Sequence, residues 1–173
     1  MAENLDLPAR MAVRTPMQWQ PGALGGFSTT PTADRLCRPF PAGRFCPDAV
    51  NVVRQRRDPD CLLSFVRQRI RGYRECPELG WGVVTILDHD VRSVLAHRCD
   101  WSGSTVLLCH NLGSAAKTVR LTLADQPKGV RWAELFHAAE DVTVGEGGTV
   151  EVKLEAYAAR WYRLVTDLDT ALI

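Results

Sequence analysis

The clearest structural signal in this chain is Thr149-Val150-Glu151-Val152-Lys153-Leu154, in which apolar and polar residues alternate strictly. Residues 118–123 alternate in the same way. Successive side chains of a β-strand point to opposite faces of the sheet, so a period of two predicts strands with one buried and one solvated face. The sequence therefore predicts half-buried antiparallel strands in this part of the chain.

Short segments of this kind recur from residue 81 onward, and turn residues such as Gly, Asp and Ser separate them. The predicted strands are 81–87, 91–98, 104–111, 118–123, 130–136, 149–154 and 160–165. Short strands at this spacing, with no helical pattern between them, are typical of an antiparallel sandwich. We therefore predict a mainly β fold with an antiparallel β-sandwich over residues 78–166, followed by a tail at 167–173.

One helix is predicted before the strands. Asp58 can cap its free N–H groups, and Pro59 suits the first helical position. Cys76-Pro77 is predicted to end the helix. The apolar residues at helical spacing form one stripe: Leu62, Leu63, Val66, Ile70 and Tyr73. Because an exposed apolar stripe usually has a partner, we expect another protein surface to cover it.

Composition excludes several classes of function. The 173 residues carry a net charge of +1, so nothing attracts nucleic acid or an anionic membrane surface. No apolar run approaches the ~20 residues that span a bilayer. The N-terminus has no signal-peptide features, and we expect a cytoplasmic protein.

The six cysteines form no C-x-x-C pair, and no histidine lies at metal-ligand spacing to them. Free thiols are therefore expected, although a contact between Cys37 and Cys46 stays open. We predict no metal and no cofactor in this chain.

The first fifty residues are rich in Pro and Gly and contain Arg14-Thr15-Pro16-Met17-Gln18-Trp19, followed by Gly26-Phe27-Ser28. Pro and Gly at these positions predict a loop, and long loops in compact domains are usually functional. The arginine and glutamine offer hydrogen bonds and the two aromatic residues offer flat apolar faces, a combination that suits a sugar ring. The alternative interpretation is that the aromatic rings only attach the loop to the protein body.

These motifs resemble the segment after the eighth barrel strand in glycoside hydrolase family 13, the alpha-amylase family. The trehalose synthase and oligo-1,6-glucosidase branch is the most similar, and its enzymes carry a maltogenic amylase-like C-terminal domain. Residues 3–10 and 49–63 are also similar to trehalose synthases, in the same order. Asn51 and Gln55 match the element that leads into the last barrel helix, where we expect capping and loop bracing.

The resemblance implies that residues 1–77 are the last loop and helix of a (β/α)8 barrel and that the sandwich follows them. It implies an enzyme acting on alpha-glucosides, such as one that interconverts maltose and trehalose. The catalytic carboxylates of the family would lie before Met1, so the chain alone is predicted to be inactive. The residues expected at the rim of the substrate pocket are Arg14, Gln18, Trp19, Gly26 and Phe27. If the barrel is a separate polypeptide, the stripe on the helix would be its interface.

A second interpretation stays open, in which the chain is a free-standing, non-catalytic β-sandwich that binds alpha-glucan or a partner protein. Four tryptophans in or beside predicted strands could form a binding platform or fill the core. These residues are Trp81, Trp101, Trp132 and Trp161.

The sequence departs from the family pattern at Tyr157-Ala158, where the family usually has a Tyr-Gly turn. Alanine tolerates positive backbone dihedrals poorly.

Overall fold

Residues 14–136 and 139–165 are described by the computed structural model, and the chain divides into two units, Met1–Ile70 and Arg71–Ile173. We call the second one the β unit. The division falls inside a helix and slightly before the predicted boundary between residues 77 and 78. The family-like stretch at residues 3–10 and the predicted tail at 167–173 lie outside the described residues.

The described helices are α1 (Val52–Gln55), α2 (Leu62–Arg74) and α3 (Pro77–Trp81), with 3-10 turns at Ala33–Arg35, Gly43–Phe45 and Glu146–Gly148. The strands are β1 (Val83–Ile86), β2 (Val94–Trp101), β3 (Ser104–Asn111), β4 (Lys117–Thr122), β5 (Arg131–Glu134), β6 (Val142–Thr143), β7 (Thr149–Leu154) and β8 (Ala159–Leu164). Each predicted strand is present, with bounds that differ by a few residues.

All strand pairs are antiparallel, and they form two sheets. The larger sheet has the order β1-β2-β3-β8-β5-β6, and β4 pairs with β7 in a separate two-stranded sheet. In the small sheet Val119 lies opposite Val152, so the apolar residues of both alternating segments share one face. The predicted antiparallel β-sandwich is confirmed.

The main core lies where these two sheets face each other. Trp132 and Tyr162 are its largest fully buried side chains on the larger sheet. The other buried members are Val94, Ala96, Leu107, Cys109, Val119, Leu121, Leu123, Val144, Val150, Val152 and Leu154. Burial raises the pKa of the Tyr162 phenol to about 12, because a phenolate there would lose its hydration.

The opposite face of the larger sheet has a second, smaller core. Cys76, Cys99, Val106 and Leu108 are buried there, and Leu79 and Trp161 pack against them. The chain around α3 therefore covers part of the sheet.

A buried carboxylate attaches α3 to this face. Glu78 is only 1% exposed, and its Oε1 accepts a hydrogen bond of 2.5 Å from the hydroxyl of Ser104. Its Oε2 accepts one of 3.1 Å from Arg163, which also donates to the carbonyl of Glu75 at 2.9 Å. Both carboxylate oxygens are paired, which a buried charge requires.

Two local predictions need correction. Trp81 was expected in the first strand but ends α3, because Pro77 starts a new helix whose Glu78 is bonded to the sheet. The helix expected to begin at Asp58 begins at Leu62. The Asp58 carboxylate accepts from the N–H of Asp60 at 2.9 Å and so closes a separate turn.

Positive backbone dihedrals also fall where the sequence did not indicate them. Tyr157, and not Ala158, has a positive φ, which is 56°. Strand β2 continues through Trp101, and the hairpin to β3 is closed by Ser102 and Gly103, whose φ values are 48° and 83°. Two consecutive positive values define the type I′ turn that matches the twist of paired strands.

All six cysteines are free, so the contact between Cys37 and Cys46 that the sequence left open is not a disulfide. Burial raises the pKa of the Cys109 thiol to about 12. Within the part of the chain that the structure describes, no helix has the length and apolar character needed to cross a membrane.

Arg98 is the centre of a charged network at the end of the sandwich. Its guanidinium donates to Asp100 at 2.6 and 2.9 Å and to Asp125 at 2.7 and 2.9 Å. Burial pushes the pKa of Asp100 up, but hydrogen bonds from Arg98 and Thr105 outweigh it, and the pKa is lowered. The hydrogen bond from Arg98 lowers the pKa of Asp125 as well.

We predict that Arg98→Gln lowers the stability of the chain at pH 7 by about 1–2 kcal/mol. Carboxylates whose folded-state pKa is lowered add stability above their unfolded-state pKa of about 3.9 and lose it as the pH falls below that value. The difference in Tm between the two proteins should therefore shrink below about pH 4. Thermal unfolding of both proteins, followed by circular dichroism from about pH 2.5 to 7, measures this difference in Tm.

Arg120→Gln is the matched control, because Arg120 is exposed and its contact with Glu151 is 3.4 Å long. Exposed pairs contribute little, so this variant should keep the wild-type Tm. A pH-independent loss in Arg98→Gln would contradict the assignment.

Candidate functional site

The predicted sugar-contact segment folds into a closed loop, residues 16–27, which we call the aromatic loop. The N–H groups of Trp19 and Gln20 both donate to the carbonyl of Gly25, at 2.7 and 3.0 Å. The N–H of Gly25 in turn donates to the carbonyl of Gly22 at 2.9 Å. These bonds set the backbone of the loop without a helix or strand.

Gln18 attaches the aromatic loop to the segment before α1. Its side-chain amide donates to the carbonyl of Phe45 at 3.1 Å and to that of Val50 through a short contact. The backbone carbonyls of Gln18 and Trp19 accept from the N–H groups of Val52 and Val53, both at 3.0 Å. Both amide hydrogens of Gln18 are therefore engaged by backbone, and its side chain positions the loop.

Two glycines allow the loop to close. Gly25 and Gly26 have φ values of 54° and 66°, in the left-handed region that disfavours other residues. A Cβ on Gly25 would lie 2.9 Å from the ring of Phe40, and one on Gly26 would lie 2.6 Å from the side chain of Gln20. Gly26 was expected at the site, and the structure adds Gly25 to it.

The aromatic side chains of the loop remain open to solvent. Trp19 and Phe27 are each 49% exposed, and Met17 is exposed to a similar degree. Arg14, the remaining predicted rim residue, is also exposed. Buried aromatic rings would support an attachment role alone, whereas half-exposed rings keep a flat face available to a ligand.

A cavity of about 380 Å³ lies beside the loop, within the range of small-ligand sites. Its lining residues are Thr15, Pro16, Met17, Gln18, Val50, Asn51, Val52 and Gln55. The lining therefore combines one hydroxyl and three amide side chains with apolar ones.

Asn51 organises the second wall of this cavity. It is buried, its Oδ1 accepts from the N–H of Arg54 at 2.8 Å, and its Nδ2 donates to the carbonyl of Pro47 at 2.8 Å. The predicted capping and bracing role of Asn51 is confirmed. Gln55 ends α1 and lines the cavity.

Sequence reasoning missed Asp48, whose carboxylate accepts a hydrogen bond of 2.8 Å from the N–H of Gly22 at the far end of the loop. It also missed Phe40, which packs over Gly25. These residues lie more than ten positions after the motif, and no local pattern connects them with it. Only the folded chain brings them together.

The site offers binding groups rather than reactive ones. Within residues 14–136 and 139–165, no cluster of three or more His, Cys, Asp or Glu side chains could hold a metal ion. Asp48 is engaged with the loop backbone. Hydrolysis or transfer of a glycosidic bond needs two facing carboxyl groups, and we find no such pair at the described loop.

Comparisons with known proteins give a consistent result. Residues 103–163 match the family described as sucrose hydrolase-like, C-terminal domain. The chain is 34% identical over 137 residues to a trehalose synthase from Thermus thermophilus, covering 79% of this chain and 14% of the relative. It is 30% identical over 169 residues to a trehalose synthase/amylase from Mycobacterium tuberculosis, covering 96% of this chain and 28% of the relative.

Among solved structures, the trehalulose synthase MutB from Pseudomonas mesoacidophila is similar, with a TM-score of 0.62 and 24% identity. The match covers 91% of this chain and 26% of that one. This likeness is evidence for the fold alone. The chain spans less than a third of the length of each of these relatives.

The sandwich and the family match define most of the β unit as a sucrose hydrolase-like C-terminal domain. The chain is thus trehalose synthase-like and corresponds to the C-terminal portion of enzymes of glycoside hydrolase family 13.

We predict that Gln18→Ala lowers the local stability of the aromatic loop and leaves the rest of the chain unchanged. Loss of the side-chain donors leaves the carbonyls of Phe45 and Val50 without these partners, which should cost about 1–3 kcal/mol of local stability. Hydrogen exchange at residues 18–27 should become faster, while exchange in the β unit is unchanged.

Gln20→Ala is the control, because this neighbouring glutamine is exposed and, within residues 14–136 and 139–165, its side-chain amide makes no bracing bond. Equal protection of the loop in wild type and Gln18→Ala would show that Gln18 is not the brace.

Proposed function

We propose that this chain forms the C-terminal portion of an enzyme that interconverts maltose and trehalose or hydrolyses alpha-glucosides. The observation that carries the proposal is the similarity to two trehalose synthases over most of the chain. The half-exposed Trp19 and Phe27 support a role next to a sugar, and so does the cavity lined in part by Thr15 and Gln18 of the same segment.

In this proposal the aromatic loop forms part of the rim of the substrate pocket. Trp19 and Phe27 present their rings to a glucose unit, and Gly26 allows the turn that places Phe27. Arg14 lies at the entrance as a cation, and Gln18 holds the loop through its bonds to Phe45 and Val50. The nucleophile and the acid/base belong to a barrel outside this sequence, so the chain alone would have no catalytic activity.

The barrel is the proposed partner of α2. Leu62, Val66 and Ile70 of the predicted stripe are exposed, and Leu63 is half-buried. Tyr73 of the same stripe is exposed as well, and Phe65, which the sequence prediction did not include, adds to the exposed apolar surface. A helix with this much apolar surface in water is stabilised when another surface covers it.

We also propose a cytoplasmic location. Six free cysteines, three of them buried, are compatible with a reducing compartment. A disulfide-forming compartment would expose the accessible thiols, such as Cys37, to oxidation.

The decisive experiment isolates the polypeptide that carries this sequence from its source, measures its intact mass, and assays it with maltose and with trehalose. We expect a mass far above that of 173 residues and formation of trehalose from maltose. In that polypeptide Trp19→Ala should raise KM for maltose about tenfold, since a lost stacking contact is worth about 1–1.5 kcal/mol. Leu112→Ala, an exposed apolar change on the β unit, is the control.

An intact mass equal to this chain, with no second polypeptide copurifying, would overturn the proposal. Unchanged kinetics in Trp19→Ala together with Phe27→Ala would remove the aromatic loop from the pocket rim, while leaving the enzymatic assignment in place.

A second prediction tests the partner surface. Val66→Glu places a charge in the middle of the exposed stripe on α2, where a covering barrel would have to bury it at a cost of several kcal/mol. The full polypeptide should lose several degrees of Tm, whereas the isolated chain should keep its own Tm, because the residue is exposed there.

Gln68→Glu on the same helix is the control, because Gln68 is exposed and lies outside the stripe. An equal loss of stability in both proteins would show that α2 is not covered by a barrel.

A further inference from the structure

We propose that Trp81 and Trp101 form a second carbohydrate-binding surface on the β unit, suited to an alpha-1,4-linked glucan. The two indole rings are neighbours, with centroids 6.4 Å apart and planes inclined by 36°. Trp81 is 75% exposed and Trp101 is 43% exposed. We call this pair the indole platform.

The exposure of the platform separates it from the other tryptophans of the sandwich. Trp132 is fully buried in the main core. Trp161 packs edge-on against Phe136, with ring centroids 5.1 Å apart, beside the second core. Tryptophan is highly buried on average, so two adjacent exposed indoles mark this surface as a candidate binding site.

The platform is held in place by the chain around it. Trp81 ends α3, which Glu78 attaches to Ser104 and Arg163. After Trp81 the backbone passes so close to β2 that a Cβ on Gly82 would lie 3.0 Å from the carbonyl oxygen of Asp100. This approach places Trp81 beside the end of β2, where Trp101 lies.

Trp101 is positioned by the hairpin between β2 and β3. It lies opposite Ser104 in the register, directly before the type I′ turn formed by Ser102 and Gly103. A two-residue turn of this kind has little freedom, so the backbone under the indole is rigid. A ligand that contacts both rings therefore binds a preorganised surface, and little conformational entropy is lost on binding.

The chemistry of the platform fits a sugar. An indole face is apolar and electron-rich, and it attracts the weakly positive C–H groups on the face of a pyranose ring. An exposed polar residue adjoins the platform in the chain, since Ser102 directly follows Trp101. Hydroxyl groups at the edge of stacked rings can bond the equatorial hydroxyls of the sugar.

The inclination of the rings favours alpha-linked glucan. Beta-1,4-linked glucan is a flat ribbon, which matches coplanar aromatic rings. Alpha-1,4 linkages rotate each glucose relative to the last, so the chain curves, and successive sugar faces are inclined to each other. Planes that differ by 36° suit two neighbouring units of such a curved chain.

This surface does not depend on the aromatic loop or on the proposed activity. It would keep a long glucan bound to the β unit whether or not the chain is attached to a barrel. The indole platform and the pocket rim differ in the ligand that they need. The platform needs at least two consecutive glucose units in an open chain.

The test is isothermal titration of the purified 173-residue chain with maltoheptaose, supported by retardation in native gels that contain amylose. We expect saturable binding and retardation. Trp81→Ala and Trp101→Ala should each weaken affinity about tenfold, and the double variant should abolish retardation. Cellohexaose should bind about tenfold more weakly than maltoheptaose.

Tyr157→Asn is the matched control, because it removes an exposed aromatic ring of the β unit at a position with positive φ that asparagine tolerates. It should bind as the wild type does, and thermal unfolding confirms that all variants fold. Undiminished binding by the double variant, no binding by the folded wild type, or equal affinity for cellohexaose would overturn the proposal. Loss of affinity in Trp19→Ala but not in Trp81→Ala would place the glucan on the aromatic loop. That result would also overturn the proposal.

Discussion

The arrangement of the β unit depends on one buried carboxylate, that of Glu78. A carboxylate without partners in this position would destabilise the fold, so it is tolerated only while Ser104 and Arg163 are within hydrogen-bonding distance. Because these partners come from β3 and β8, the pairing attaches α3 to two central strands at once. The second core under α3 and the placement of Trp81 follow from that attachment.

The two candidate carbohydrate surfaces are constructed in the same way. In each, hydrogen bonds and glycines determine the backbone beneath exposed aromatic rings. Gln18 and Gly25 do this for the aromatic loop, and Glu78 and Gly82 do it for the indole platform. Rings on a rigid backbone lose little entropy when a ligand binds, which explains why half-exposed aromatic side chains can serve recognition.

Much of the strand content was predictable because its signal is local. Alternation in residues 118–123 and 149–154 identifies one buried face, and the structure pairs those two segments with their apolar residues aligned. The short strand β6 was missed, since two residues carry no measurable period. The start of α2 was misplaced, because Asp58 and Pro59 form a turn that uses the same capping chemistry as a helix start.

By itself, the sequence determined the alternating strands, the apolar stripe of α2, the free thiols and the family-like loop, because each is a pattern of nearby residues. Only the tertiary structure decided that β8 lies between β3 and β5, that Gln18 braces its loop instead of facing solvent, and that Trp81 and Trp101 are neighbours while Trp132 is buried. Strand order and side-chain exposure depend on contacts between residues far apart in the chain. Such contacts form only when the sheets close around a shared core, and no local spacing encodes them.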